Sequence, residues 1–311
     1  MTFRSFLTAS RVRFIVGKGG VGKTTVSAAL ALAGAAEGLH VHVIELEGRE
    51  EFLRCFDAEG PLQYESTTLY EHPSGGRVSA RHLGPDEALV EWLRDHGFGR
   101  LVGRLRSSGA LDVIATAVPG IRDVLVLGKI KALARDFDAD AILVDAPATG
   151  HSLSLLASPS SLMAAARSGP IRRQAEEVDQ MLRDETRCCV SLVTLAAELP
   201  VTEAVEAAFG LEDRAGVALS SIIVNQFAGG ESLLRTNLAA TEVATLDPHL
   251  AHSIDVARWF TLARVDEEAR QLSRLHHELP LEQMVLPRLE ADTIDLSRLS
   301  SLADACIRAA S

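Results

Sequence analysis

The sequence predicts an α/β fold, a doubly wound and mainly parallel sheet with helices on both faces and a helical insertion. Three observations carry that prediction. An apolar, β-branched run from Val12 to Val16 leads into a glycine-rich turn, and an alanine-rich stretch follows. A second apolar run, Leu39 to Ile44, lies one helix length further on, so that strand, helix and strand form a βαβ unit. A third, Ala141 to Val144, has the length and composition of a buried strand and ends in Asp145.

Taken in order, residues 1 to 10 read as a short tail. Thr24 to about Gly38 reads as a helix filled with alanine and leucine, with Gly38 as its stop signal. On the strand that follows, His40 and His42 read as edge or cap residues rather than metal ligands. From about 57 to 110 the βα rhythm breaks: DAEGPLQYES and EHPSGGRVS are rich in turn residues and read as loops. Pro85 then opens a helical stretch in which Leu89, Trp92, Leu93, Leu101, Val102 and Leu105 recur at helical spacing. Leu111 to Val118 returns to strand character, and a helix runs to about Arg135. Ser158-Pro159 reads as the start of a new helix, with serine as N-cap and proline at the first position. An interruption at Gly169-Pro170 precedes a helical stretch to about 185. Strands are expected over Cys188–Thr194, Leu219–Val224 and about 283–286. Helices are expected from Pro200, near 255–278 and from Thr293. The chain reads as one domain over 1–311, with a helical subdomain drawn from about 57–110 and 151–187.

The turn after the first strand, Gly17-Lys18-Gly19-Gly20-Val21-Gly22-Lys23-Thr24-Thr25, satisfies G-x-x-x-x-G-K-[ST] in the strand–loop–helix setting that motif requires. Its glycines let the backbone curl so that successive N–H groups point inward at a helix N-terminus, making a concavity for phosphate. In such a loop Lys23 reaches the β- and γ-phosphates and the Thr24 hydroxyl ligates Mg²⁺. Asp145, at the end of an apolar strand, suits the second magnesium-holding position, acting through the metal's water shell.

Composition bounds the rest. The chain has 311 residues, 47% hydrophobic and 23% charged, as in a soluble globular protein. The formal charge of −11 argues against a nucleic-acid partner, which calls for a basic patch or stripe. Cys55, Cys188, Cys189 and Cys306 are too few and scattered for a disulfide framework, and the adjacent pair reads as small buried strand residues. No apolar run approaches a membrane span and the first residues lack the apolar core of a signal peptide, so the expected location is cytoplasmic.

GKGGVGKT, with a lysine directly after the first glycine, resembles the deviant phosphate loop of the dimeric ATPases that include the arsenite pump, the nitrogenase iron protein and the septum-placing proteins. D-A-P-A-T-G-H, from Asp145 to His151, is similar to the D-T-A-P-T-G-H second switch of the arsenite-pump and tail-anchored-protein-targeting ATPases. The chain is identified on these motifs as a single-unit member of that family. The resemblance implies a nitrogenase-iron-protein-like fold, ATP and Mg²⁺ as ligands, and a homodimer, or a heterodimer with a paralogue, that changes shape with its nucleotide. In that group Lys18 crosses the dimer interface to the partner's phosphates, Gly150 approaches the γ-phosphate by its N–H, and Asn225 of Ile-Val-Asn-Gln reads adenine. The water-positioning aspartate falls on Glu47, with Gly48 in the place of a proline; Glu45 is the rival carboxylate. Pro119-Gly120-Ile121-Arg122-Asp123 resembles an element near the dimer face, and the helical insertion lies where the targeting ATPases bind apolar protein clients. A peripheral membrane partner is compatible with that role. Two other readings stay open: a nucleotide switch or partner-binding subunit that does not hydrolyse, and the soluble subunit of a metalloid efflux pump.

Overall fold

The computed structural model describes residues 2–48, 50–98, 120–229, 247–289 and 293–310. Its strands are β1 (Val12–Gly17), β2 (His40–Glu45), β3 (Thr67–Glu71), β4 (Arg77–His82), β5 (Ala141–Ala148), β6 (Cys188–Leu195), β7 (Leu219–Phe227) and β8 (Gln283–Pro287). They form one sheet in the order β3-β4-β2-β5-β1-β6-β7-β8. Every neighbouring pair is parallel except the edge hairpin β3–β4. The helices are α1 (Phe3–Thr8), α2 (Lys23–Ala36), α3 (Glu51–Arg54), α4 (Pro85–Leu93), α5 (Ile121–Asp136), α6 (Thr149–Ala165), α7 (Pro170–Arg183), α8 (Glu198–Gly210), α9 (Pro248–Glu278) and α10 (Leu296–Ala309).

The sheet is covered on both sides, which is why its central strands are largely apolar and buried on both faces, with Arg13 and His42 buried among them. One core joins Val12, Phe14 and Val16 to α4, α5, α6, α7 and α8; the other joins Ile15, Val41 and Val43 to α1, α2, α3 and α10. The doubly wound α/β prediction therefore holds.

Several local expectations are corrected. The N-terminal segment is no tail: α1 buries Phe3, Phe6 and Leu7, and Phe6 lies under the buried Arg13 guanidinium at 4.2 Å. The stretch after residue 57 contains a hairpin, because β4 buries Val78 and Ala80 against the core and β3 pairs with it. With β4 in place, β2 is an interior strand, so His40 and His42 are neither edge nor cap residues. His42 is wholly buried, with Nδ1 2.9 Å from Ser79 Oγ and its ring 4.1 Å from that of Phe137. Ser158-Pro159 does not start a helix but lies inside α6. Pro159 has no N–H for the Leu155 carbonyl one turn back, and the Ser158 hydroxyl donates to that oxygen instead, at 2.7 Å. Helix α9 begins earlier than expected, at Pro248, because Asp247 caps it by accepting from the His249 and Leu250 N–H groups. Asp295 caps α10 in the same way. The strand expected over Leu111–Val118, Pro119, and the second half of the helical insertion lie outside the described residues. Among the described residues no helix is long and apolar enough to cross a membrane.

Candidate functional site

The site sits at the carboxyl ends of β1, β2, β5 and β7, where a doubly wound sheet places its ligands. Strand β1 ends at Gly17, the loop turns through Gly22, and α2 starts at Lys23. Gly22 is the cap residue, with φ +87, a left-handed conformation that turns the chain from loop to helix. Lys18, Gly19 and Gly20 are exposed on the rim, while Val21 is buried beneath it. The Lys23 side chain folds back over the loop, and its ammonium donates to the Lys18 carbonyl at 3.3 Å.

The Thr24 hydroxyl donates to Asp145 Oδ2 at 2.7 Å, and the Ser27 hydroxyl, one turn further along α2, donates to Oδ1 at 3.2 Å. Two segments 121 residues apart thus meet at one point. Parallel pairing explains it: Ile15 on β1 and Glu45 on β2 both lie opposite Asp145 on β5. Burial pushes the Asp145 carboxyl up to about 6; the neighbouring Glu45 charge adds to this, and the Thr24 and Ser27 hydrogen bonds and the Lys23 charge oppose it. A hydroxyl and a carboxylate are hard oxygen donors of the kind Mg²⁺ takes. The residues present therefore fit a magnesium-bound phosphate: Thr24 and Asp145 would hold the metal, and the curled loop would hold the anion.

Asn225, at the end of β7 and buried, donates its amide N–H to the Val21 carbonyl at 2.9 Å. It braces the underside of the phosphate loop, and a Cβ at Gly22 would lie 2.4 Å from its Nδ2. Gly150 is the second residue of α6, exposed and with open space beside it. Ser152 ties the start of that helix to the strand by donating to the Pro147 carbonyl at 2.6 Å. His151 is exposed; burial pushes the Asp123 carboxyl up, and nearby His151 opposes that shift. Thr25 is partly buried in the first turn of α2.

Of the two carboxylates at the end of β2 and just past it, Glu45 is buried and Glu47 is exposed at the rim. Lys18 reaches α8 of its own chain and pairs with Glu203. Three residues at or beside the site, Ser27, Glu203 and His82, have no motif of their own in the sequence. Ser27 could have been found from its spacing, since residues three apart share a helix face with Thr24. Glu203 and His82 had no such signal, because distant elements bring them in. Glu45, the rival carboxylate, differs from Glu47 by its burial.

Loops of this construction belong to the P-loop class of nucleotide-binding proteins. The family model described as anion-transporting ATPase matches residues 10–168. The chain belongs to that family. It is similar to ATPase BagA of Mycobacterium tuberculosis, at 37% identity over 71% of this chain and 66% of the relative. It is also similar to a Halobacterium salinarum protein provisionally named an arsenical pump-driving ATPase, at 25% identity over 70% of this chain and 35% of the relative. With ATPase GET3 of Chaetomium globosum it shares 27% identity over 52% of this chain and 47% of the relative. The chain therefore spans just under two thirds of the mycobacterial relative and about a third to a half of the other two.

Proposed function

We propose that the protein binds and hydrolyses Mg-ATP, that catalysis needs a second copy or a paralogue, and that nucleotide state switches the shape of the assembly to handle a protein client or partner. The observation that carries this reading is the 2.7 Å bond between Thr24 and Asp145, which joins the phosphate loop to the second-switch strand. In it, the loop N–H groups from Gly17 to Thr25 cradle the phosphates and Lys23 stabilises their charge. Thr24 and Asp145 hold the metal, which when bound neutralises phosphate charge. Glu47 orients the attacking water, Gly150 senses the γ-phosphate, and the remaining acceptor of Asn225 faces the base. Lys18 leaves Glu203 and serves the partner's phosphates.

The metalloid-pump reading is disfavoured by the thiols. All four cysteines are buried, and burial pushes Cys55 up to about 11 and Cys306 to about 12, away from the thiolates a soft metalloid would take. The experiment is Mg-ATP turnover per protomer across a wide range of protein concentration, with Lys18→Ala and Lys23→Ala alongside. Specific activity should rise with concentration, vanish in Lys23→Ala and lose its concentration dependence in Lys18→Ala. Bound ATP with negligible turnover at every concentration refutes a self-sufficient dimeric ATPase.

A further inference from the structure

Glu45 ends β2 with its carboxylate 2% exposed, and a buried carboxylate must find donors. Three converge on it. The Glu47 N–H donates to Oε1 at 2.7 Å, the Gly48 N–H to Oε2 at 2.6 Å, and His82 Nδ1 stands 3.0 Å from Oε2. The same Nδ1 is 3.1 Å from the Glu45 carbonyl. Both neighbours are acceptors, so Nδ1 carries the hydrogen. Glu45 and His82 lie opposite each other across β2 and β4, and the Leu83 N–H extends that pairing to the Glu45 carbonyl at 2.9 Å. Gly48 closes the turn at φ +71, where a Cβ would stand 3.6 Å from His82 Cε1. The Glu45 oxygens are thus committed to the loop that follows, and the residue is a stake around which Leu46 to Gly48 turn.

We infer that Glu45 and His82 are positioning residues for hydrolysis: Glu45 holds the backbone of the loop that carries Glu47, and His82 locks the Glu45 carboxylate in place. The inference rests on the proposed role of Glu47. The loop leaves β2 beside Asp145, so a backbone pinned at both Glu47 and Gly48 sets where the Glu47 carboxylate stands over the phosphates. Without His82 the carboxylate loses the one donor that, among the described residues, comes from outside the loop. The Thr24–Asp145 bond is made without His82.

The test compares His82→Ala with His82→Asn, whose amide Nδ2 can stand where the ring Nδ1 stood. In His82→Ala, kcat should fall about tenfold with KM for ATP within about twofold, the mark of an interaction that matters in the transition state rather than in binding. His82→Asn should recover most of the loss. Without nucleotide, amide exchange at Glu47 and Gly48 should quicken in His82→Ala and stay near wild type in His82→Asn. An active wild type with kcat and exchange unchanged in His82→Ala refutes this inference alone. So does a loss shared equally by both variants that follows a lower melting temperature, or a loss that falls on KM. A wild type that binds ATP and never hydrolyses it refutes the hydrolytic reading and removes this role with it.

Discussion

Gly22→Ala puts the phosphate loop's construction under direct test. At φ +87 an alanine there is held in left-handed backbone, which costs roughly 1–2 kcal/mol. Its methyl would also stand 2.4 Å from Asn225 Nδ2. Asn225 is buried, so an amide pushed aside loses its 2.9 Å bond to the Val21 carbonyl and is left short of a partner. That second part costs about 1–3 kcal/mol. The expected total is about 2–5 kcal/mol. In an Asn225→Ala background the clash is gone and Gly22→Ala should cost only the backbone part, so the cycle should show a coupling of about 1–3 kcal/mol. The assay is urea unfolding of the four proteins without nucleotide, followed by circular dichroism, which keeps any role of Asn225 towards the base out of the measurement. Equal costs of Gly22→Ala in the two backgrounds would refute the reasoning.

Two further outcomes are expected. Burial holds His42 at a pKa of about 3, far below its ordinary value, so the folded protein resists the proton that the unfolded chain accepts near 6.5. The stability is full above pH 6.5 and is lost as pH falls towards 3; by pH 5 the loss is about 2 kcal/mol. His42→Leu should remove that part of the acid sensitivity, and equal losses in both proteins between pH 7 and pH 5 in urea unfolding would count against it. The Lys18–Glu203 pair is half exposed and worth no more than about 1 kcal/mol. Glu203→Gln should therefore leave stability nearly unchanged while raising Mg-ATP turnover at low protein concentration. A turnover–concentration curve that coincides with wild type would show that the pair does not restrain Lys18.

The sheet's central strands and the phosphate loop were legible because parallel strands covered on both faces are nearly continuous apolar runs, and because the loop's chemistry is contiguous in the chain. Asp145 was legible as the end of such a run, and its meeting with Thr24 follows from strand order. The hairpin β3–β4 was not, since β4 carries Ser79, Arg81 and His82 among its buried or half-buried positions, which blurs the apolar signal. Helix α1 is too short to show a period, and Phe3, Phe6 and Leu7 became core residues only once α2 and α10 were there to meet them. Pro159 misled because its missing donor is made good by a neighbouring serine, a repair that no spacing rule announces. Glu45 and Glu47 could be told apart only by burial, which two acidic residues flanking one leucine in a sequence do not disclose.

The ladder that sets Asp145 opposite Ile15 takes no account of the length of chain joining β2 to β5. Lengthening a flexible connection costs little, roughly 0.6 kcal/mol for each doubling. Such freedom belongs only to the exposed turns of that stretch: β4, α4 and α5 pack into the cores and His82 stands on β4, so a change confined to a turn leaves the hydroxyl of Thr24 and the carboxylate of Asp145 at their distance.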